Sequence, residues 1–162
     1  MGALSAADLE QLYRRDFRHL VRVATAVTRS EAAGAEAVQE AFLRLLRSRE
    51  SYRGEGPVEA WVWRTVVNEA KRLAAREQGA LAAVPEEPSV NGSGSRDAAT
   101  RALVAALPER QRLAVFLRYY ADLDYRTIGH VLGIETGTVS ATLAAAHERL
   151  RGAIEGVLDD AS

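Results

Sequence analysis

Between Gly79 and Asp97 the chain reads GALAAVPEEPSVNGSGSRD, and neither a helical nor a strand apolar period runs through it. Prolines, glycines, serines and an acidic pair mark such a stretch as a linker. This interruption cuts the apolar pattern into two blocks, each of a size that holds only a few helices. Leu, Ala and Arg dominate both blocks, Gly and Pro are sparse within the periodic stretches, and β-branched residues come in short clusters. That composition favours helices. The expected fold class is all-α, with two small helical domains joined by a flexible, acidic linker. The boundaries read as 1–78, 79–98 and 99–162.

The first block holds three expected helices. One runs from about Ala6 to Thr28, with Leu9, Leu12, Tyr13, Phe17, Leu20, Val21, Ala24 and Val27 at helical spacing. Ser30 can N-cap the next, which extends to about Ser48 on a stripe of Ala37, Val38, Ala41, Phe42, Leu45 and Leu46. Pro57 suits the first turn of a third helix, because its missing N–H has no partner to lose there. That helix is expected to reach about Glu77, with Val58, Trp61, Val62, Val66 and Leu73 inward.

In the second block TRALVAAL makes a short helix, and Pro108 opens another through about Tyr119. The segment LDYRTIGHVLGIETGTVSATLAAAHERLR then carries two short helices hinged at Gly133. Asp124 is a good N-cap for Tyr125–Leu132, and Gly133 sits where a chain leaving a helix needs a positive φ. The next helix begins near Thr136 and is expected to end near Ala153, with Val139, Leu143, Ala146 and Leu150 inward. A plain αα-hairpin shares these features. The run TGTVS, with small residues at the start of the second helix, instead suits close approach to a phosphate or a groove wall. The C-terminal domain therefore reads as a helix-turn-helix bundle.

Charge argues the other way. The formal net charge is −1, and from Arg126 to Arg149 no Lys or Arg intervenes. A free-standing DNA-binding domain usually carries a basic excess. Other classes are excluded more firmly. With no cysteine there are no disulfides and no Cys-based zinc sites, and His19, His130 and His147 lie too far apart for metal-ligand spacing. No Gly-rich phosphate loop and no assignable nucleophile–base pair is present, so no enzyme, catalytic residue, metal or cofactor is expected. The opening MGALSAADLEQLYRRDF lacks the apolar core of a signal peptide, Ala6 spoils a myristoylation signal, and no apolar run is long enough to span a membrane. A cytoplasmic location is expected.

The run LPERQRLAVFLRYYADLDYRTIGHVLGIETGTVSATL resembles region 4 of the extracytoplasmic-function (ECF) sigma factors of bacterial RNA polymerase. Leu107, Pro108, Arg112, Tyr119, Tyr120, Ile128, Gly129, Leu132, Gly133, Ile134, Gly137, Thr138 and Val139 carry the likeness. In the first block AEAVQEAFLRLLRS resembles region 2.2, and YRGEGPVEAWVWRTVVNEAKR resembles regions 2.3 and 2.4.

The resemblance implies a transcription initiation factor. It would bind core RNA polymerase through the clamp of the largest subunit and the flap of the second, direct it to promoter DNA and help melt the −10 element. It implies a polymerase-binding face of Glu36, Gln39, Glu40, Leu43 and Arg44, for which the plain alternative is a solvated face holding i,i+4 pairs such as Glu40 with Arg44. It implies −10 contacts from a pocket loop at Arg53 and Gly54, and from Arg64, Asn68, Lys71 and Arg72. Trp63 is the expected stacking platform and Trp61 the expected core residue. For the −35 duplex it implies Arg112, Arg126, Thr136, Thr138, Ser140, Thr142 and Arg149. Relatives carry Lys-Ser-Arg after Gly-Thr-Val, whereas this chain has Ser140, Ala141 and Thr142, so −35 reading is expected to be weak or shape-based. Glu86 and Glu87 of the linker suit a strand that mimics nucleic acid in a polymerase channel, or a soluble spacer. An anti-sigma factor is a further candidate partner. The alternative function is a sigma-like regulator whose basic-poor region 4 docks a protein, using Ala141, Ala144 and Ala145 for close helix packing.

Overall fold

The computed structural model describes residues 4–80 and 95–161, so Glu86 and Glu87 lie outside it. Helix α1 spans Ala6–Thr28 and opens with a reciprocal cap: Asp8 N–H donates to Ser5 Oγ at 3.1 Å, and Ser5 N–H to Asp8 Oδ2 at 3.0 Å. It ends at Arg29, whose φ of 65° turns the chain so that Ser30 can cap α2, Glu31–Ser48, through Ala33 N–H at 3.3 Å. The two helices pack antiparallel, burying Leu20, Val23, Ala24 and Val27 with Ala37, Val38, Ala41, Phe42 and Leu45. Their backbones come close at Gly34, where a Cβ would lie 2.4 Å from Thr25 Oγ1 and 2.9 Å from its amide nitrogen.

A 3-10 turn, Arg49–Ser51, and a loop with Gly54 and Gly56 at positive φ lead to α3, Val58–Ala80. Pro57 stands just ahead of that helix rather than inside its first turn, and its carbonyl accepts from Ala60 N–H at 3.1 Å. The expected inward stripe is rotated. Ala60, Val62, Trp63, Val66, Val67 and Ala70 are buried, while Trp61 is only half-buried against Tyr52 at 5.2 Å between ring centroids. The reason is that α3 packs on α1, α2 and a helix of the second block at once. Its buried arc is therefore wider than one stripe, and periodicity alone cannot centre it.

The second block begins with α4, Ser95–Ala105, and α5, Glu109–Val115, which relaxes into one π turn, Phe116–Tyr120. Helix α6, Tyr125–Leu132, is capped by Asp124, whose Oδ1 accepts Thr127 N–H at 2.7 Å. That bond holds the Asp124 carboxyl below its ordinary pKa. The cap is therefore complete near neutral pH and is lost as pH falls through the depressed value. Gly133 leaves α6 at φ 68°, and α7 runs Thr136–Asp160, seven residues beyond the expected end at Ala153. The glycines at 152 and 156 weaken that extension without ending it.

The blocks are in contact: α6 packs on α3, and α5 and the π turn pack on α1. Among the described residues there is no strand, no cluster of three metal-ligating side chains and no helix long and apolar enough to cross a membrane.

Candidate functional site

The outer face of α2 is set by what the inner face consumes. With Ala37, Val38, Ala41, Phe42 and Leu45 inside, Glu36, Gln39, Glu40, Leu43 and Arg44 are all exposed on one side. Leu43 is 46% exposed and forms an apolar centre among polar neighbours. Arg44 does not pair with Glu40. Its Nε lies 2.7 Å from Oε1 of Glu69 on α3, and Arg72 Nη1 reaches the same oxygen at 3.3 Å. Glu69, only 11% exposed, thus ties the α2 face to the neighbouring face of α3. Its i,i+3 partner Arg72 is local, but no local spacing pointed to the closer one, Arg44 on α2.

On α3, Arg64, Asn68, Lys71 and Arg72 are exposed and share a stripe. Arg53 and Gly54 are exposed on the loop ahead of it. Trp63 does not join them. It is 3% exposed and belongs to the core, so the sequence-based assignment of the two tryptophans is reversed. The residue that continues the stripe is Trp61, at the helical spacings of three and seven from Arg64 and Asn68. Counting back from Asn68 would have found it.

The helix-turn-helix pair is closed by Gly129, whose carbonyl accepts Ile134 N–H at 3.0 Å. A Cβ at Gly129 would lie 2.7 Å from the Ile134 carbonyl oxygen, a backbone atom that cannot swing away. Gly129→Ala is expected to destabilise the second block by about 1–3 kcal/mol, read as a lower urea midpoint. An unchanged midpoint would mean that the turn is looser than drawn.

Thr136, Thr138 and Ser140 are exposed along the first turns of α7, and Glu135 makes no side-chain cap there. The leading amides of the helix are therefore left to an outside acceptor, and the dipole favours an anion. Thr142 Oγ1 is already committed, donating to Thr138 O at 2.7 Å. Arg126 and Arg149 are exposed at the flanks. Arg112 is not available. Only 7% exposed, it donates Nε to Ala26 O and Nη1 to Leu107 O, each at 2.9 Å. Burial and then the nearby charge of Arg29 draw its pKa down from the ordinary guanidinium value. An arginine of a recognition motif had seemed a DNA contact, but the carbonyls that claim it come from a turn and a distant helix.

Two family models match the chain: sigma-70 region 2 over residues 12–80, and sigma-70 region 4 over residues 97–150. The ECF RNA polymerase sigma-E factor of Escherichia coli (strain K12) is 26% identical, over 87% of this chain and 85% of that protein. The ECF RNA polymerase sigma factor SigM of Mycobacterium tuberculosis (strain ATCC 25618 / H37Rv) is 29% identical, over 87% of this chain and 74% of that protein. Among solved structures, the sigma factor RpoE from Bartonella quintana in complex with the anti-sigma factor NepR superposes with a TM-score of 0.73 at 18% identity, covering 93% of this chain and 98% of that one. CnrH in complex with the cytosolic domain of CnrY gives 0.70 at 20% identity, covering 94% and 90%. These two likenesses concern the fold.

Proposed function

The chain belongs to the sigma-70 family as an ECF sigma factor, and from that premise we propose how its exposed faces divide the work. Sigma factors of this kind are transcription initiation factors, not enzymes: they bind core RNA polymerase and direct it to promoters. The working domains are 1–78 for core polymerase and the −10 element, 79–98 as linker, and 99–162 for the −35 element.

The α2 face, Glu36, Gln39, Glu40, Leu43 and Arg44, docks on helices of the largest-subunit clamp. An apolar residue ringed by polar and charged ones suits a partner helix. The α3 stripe, Arg64, Asn68, Lys71 and Arg72, follows the melted −10 strand. The loop at Arg53 and Gly54 borders the exposed base, and Trp61 stands where Trp63 was expected to. Cations track phosphates, Asn68 can pair with a base edge, and an aromatic ring stacks on a base without regard to its identity. Region 4 meets the polymerase flap and the −35 duplex, using the amides at the start of α7, Thr136, Thr138 and Ser140, with Arg126 and Arg149 on phosphates. An anti-sigma factor that covers these faces fits the same surfaces. The protein works in the cytoplasm, where its polymerase is.

The observation that carries this reading is that one block presents Leu43 in a polar face on α2 and a basic stripe on α3, joined through Glu69. The test mixes the full chain with core polymerase lacking any other sigma factor and follows association and run-off transcription. Association with promoter-dependent transcripts is expected. Association without initiation would favour the protein-docking alternative, and no association would sink the reading.

A second expectation concerns α7. With no cation between Arg126 and Arg149, affinity for a −35 duplex should be low and should depend weakly on salt. Ser140→Lys combined with Ala144→Arg is expected to steepen the log–log salt slope by about 0.9 for each new phosphate contact, nearly two in all, measured by anisotropy on the full chain. An unchanged slope would place this face away from the backbone.

A further inference from the structure

The outer face of α1 carries charge that none of the surfaces described above uses. Arg14, Arg15, Arg18, His19 and Arg22 fall within nine residues, with Asp16 the one acid among them. All five are exposed, because Leu9, Leu20, Val23, Ala24 and Val27 turn the opposite face inward. Arg14, Arg18 and Arg22 recur every four residues, about 6 Å along the helix axis. Like charges at that spacing weaken a helix, so the fold itself gains nothing from the row. Arg14 Nη2 meets Glu10 Oε1 at 2.8 Å, in an exposed pair that an incoming anion can exchange. Arg22 lies 5.0 Å over the ring of Tyr120. Among the described residues Arg18, at the centre of the row, meets no carboxylate.

Arg15 fixes this row beside the α3 stripe. Its Nη2 lies 2.9 Å from Asp16 Oδ2 and 2.8 Å from Oε1 of Glu59, in the first turn of α3. Arg14 and Arg15 also border an open hollow of about 880 Å3 that Tyr52, Val58 and Glu59 line as well. Tyr52 in turn packs on Trp61, the leading residue of the stripe, at 5.2 Å between ring centroids. Trp61, Tyr52, Arg14 and Arg18 thus follow one another across the surface from α3 to α1.

We propose that Arg14 and Arg18 of α1 form a phosphate-binding ridge that holds the promoter single strand, whatever its sequence, where it runs beyond the α3 stripe. The inference rests on the sigma reading, since only a chain that opens DNA meets such a strand there. Guanidinium forks one helical turn apart suit successive phosphates, and contacts to the backbone position a strand without reading its bases. Continuity with the stripe that tracks the strand favours nucleic acid over an acidic protein surface. The ridge also places phosphate affinity in the first block, which the second lacks between Arg126 and Arg149.

The test uses holoenzyme assembled from the full chain and core polymerase, with single strands that carry the −10 element with or without flanking nucleotides. Each phosphate contact contributes about 0.7 to the log–log salt slope on a single strand. Arg14→Gln combined with Arg18→Gln is therefore expected to flatten the slope by about 1.4 on the flanked strand, equally for different flanking sequences. Arg14→Lys with Arg18→Lys should keep the slope of the unchanged protein. On a strand trimmed to the −10 element, the glutamine variant and the unchanged protein should bind alike. Both positions are exposed, so the urea midpoint of the glutamine variant should not fall. An unchanged slope on the flanked strand, a loss confined to one flanking sequence, or a difference that persists on the trimmed strand overturns the ridge and leaves the sigma reading standing. Weaker association with core polymerase at an unchanged slope also overturns it, because the row would then be a polymerase contact. A chain that never associates with core polymerase overturns the sigma reading, and the ridge with it.

Discussion

A Trp63→Ala chain is expected to lose about 3–5 kcal/mol of stability, the range for truncating a large buried aromatic. Trp63 is 3% exposed and sits in the same buried cluster as Val62, Val66 and Val67 of its own helix and Phe42 and Leu45 of α2. The indole fills volume in a close-packed core, so the deletion leaves a cavity there. A loss of this size is a large share of the stability of a chain this small. The paired control is Trp61→Ala. Trp61 lies half-buried beside Tyr52, so its loss should cost markedly less stability while reducing promoter melting. Urea unfolding followed by circular dichroism reads the first effect, and permanganate reactivity of promoter thymines in the holoenzyme reads the second. A Trp63→Ala chain with unchanged stability and no open complex would restore Trp63 as the stacking platform.

The second large effect is expected at Leu43. Leu43→Arg should weaken binding to core polymerase by about 30-fold or more, the scale of a hot-spot residue at the centre of a helix-docking face. The folded chain itself should tolerate the change within about 0.5 kcal/mol, because this leucine is 46% exposed and the face around it is already polar. Binding and stability are thus predicted to separate, which a core residue would not allow. Leu43→Ala should fall between the two, losing contact area without bringing a charge to the interface. Competition of labelled and unlabelled chains for core polymerase measures the affinity. Equal competition by the Leu43→Arg chain would move the docking face elsewhere on the first block.

The parts of the fold that were legible from residues alone have a common character. Ser30 and Asp124 as caps, Gly133 as a left-handed exit, and the bounds of α1, α2 and α6 all follow from interactions reaching no more than four positions along the chain. The exposed face of α2 and the polar residues of the α3 stripe were legible for the same reason, since the apolar period fixes what is left outside. The parts that were misplaced each depended on another element. The inward edge of α3 shifted because that helix has neighbours on several sides. The Glu40–Arg44 pair, the plain alternative for the α2 face, is not made, and Arg44 reaches Glu69 of α3 instead. Arg112, an arginine in a motif, was expected on DNA and is instead buried across the blocks.

The amino-acid order therefore determined the helices, the ends that carry a local cap and the membership in a family, because each of these is written in spacings of a few residues. Tertiary structure alone decided which tryptophan is core, which carboxylate holds Arg44, and that Arg112 donates to a carbonyl of α1. Those outcomes turn on contacts between residues 25 to 86 positions apart. There a side chain goes to whichever unsatisfied group folding brings within reach, and nothing in its local sequence names that group.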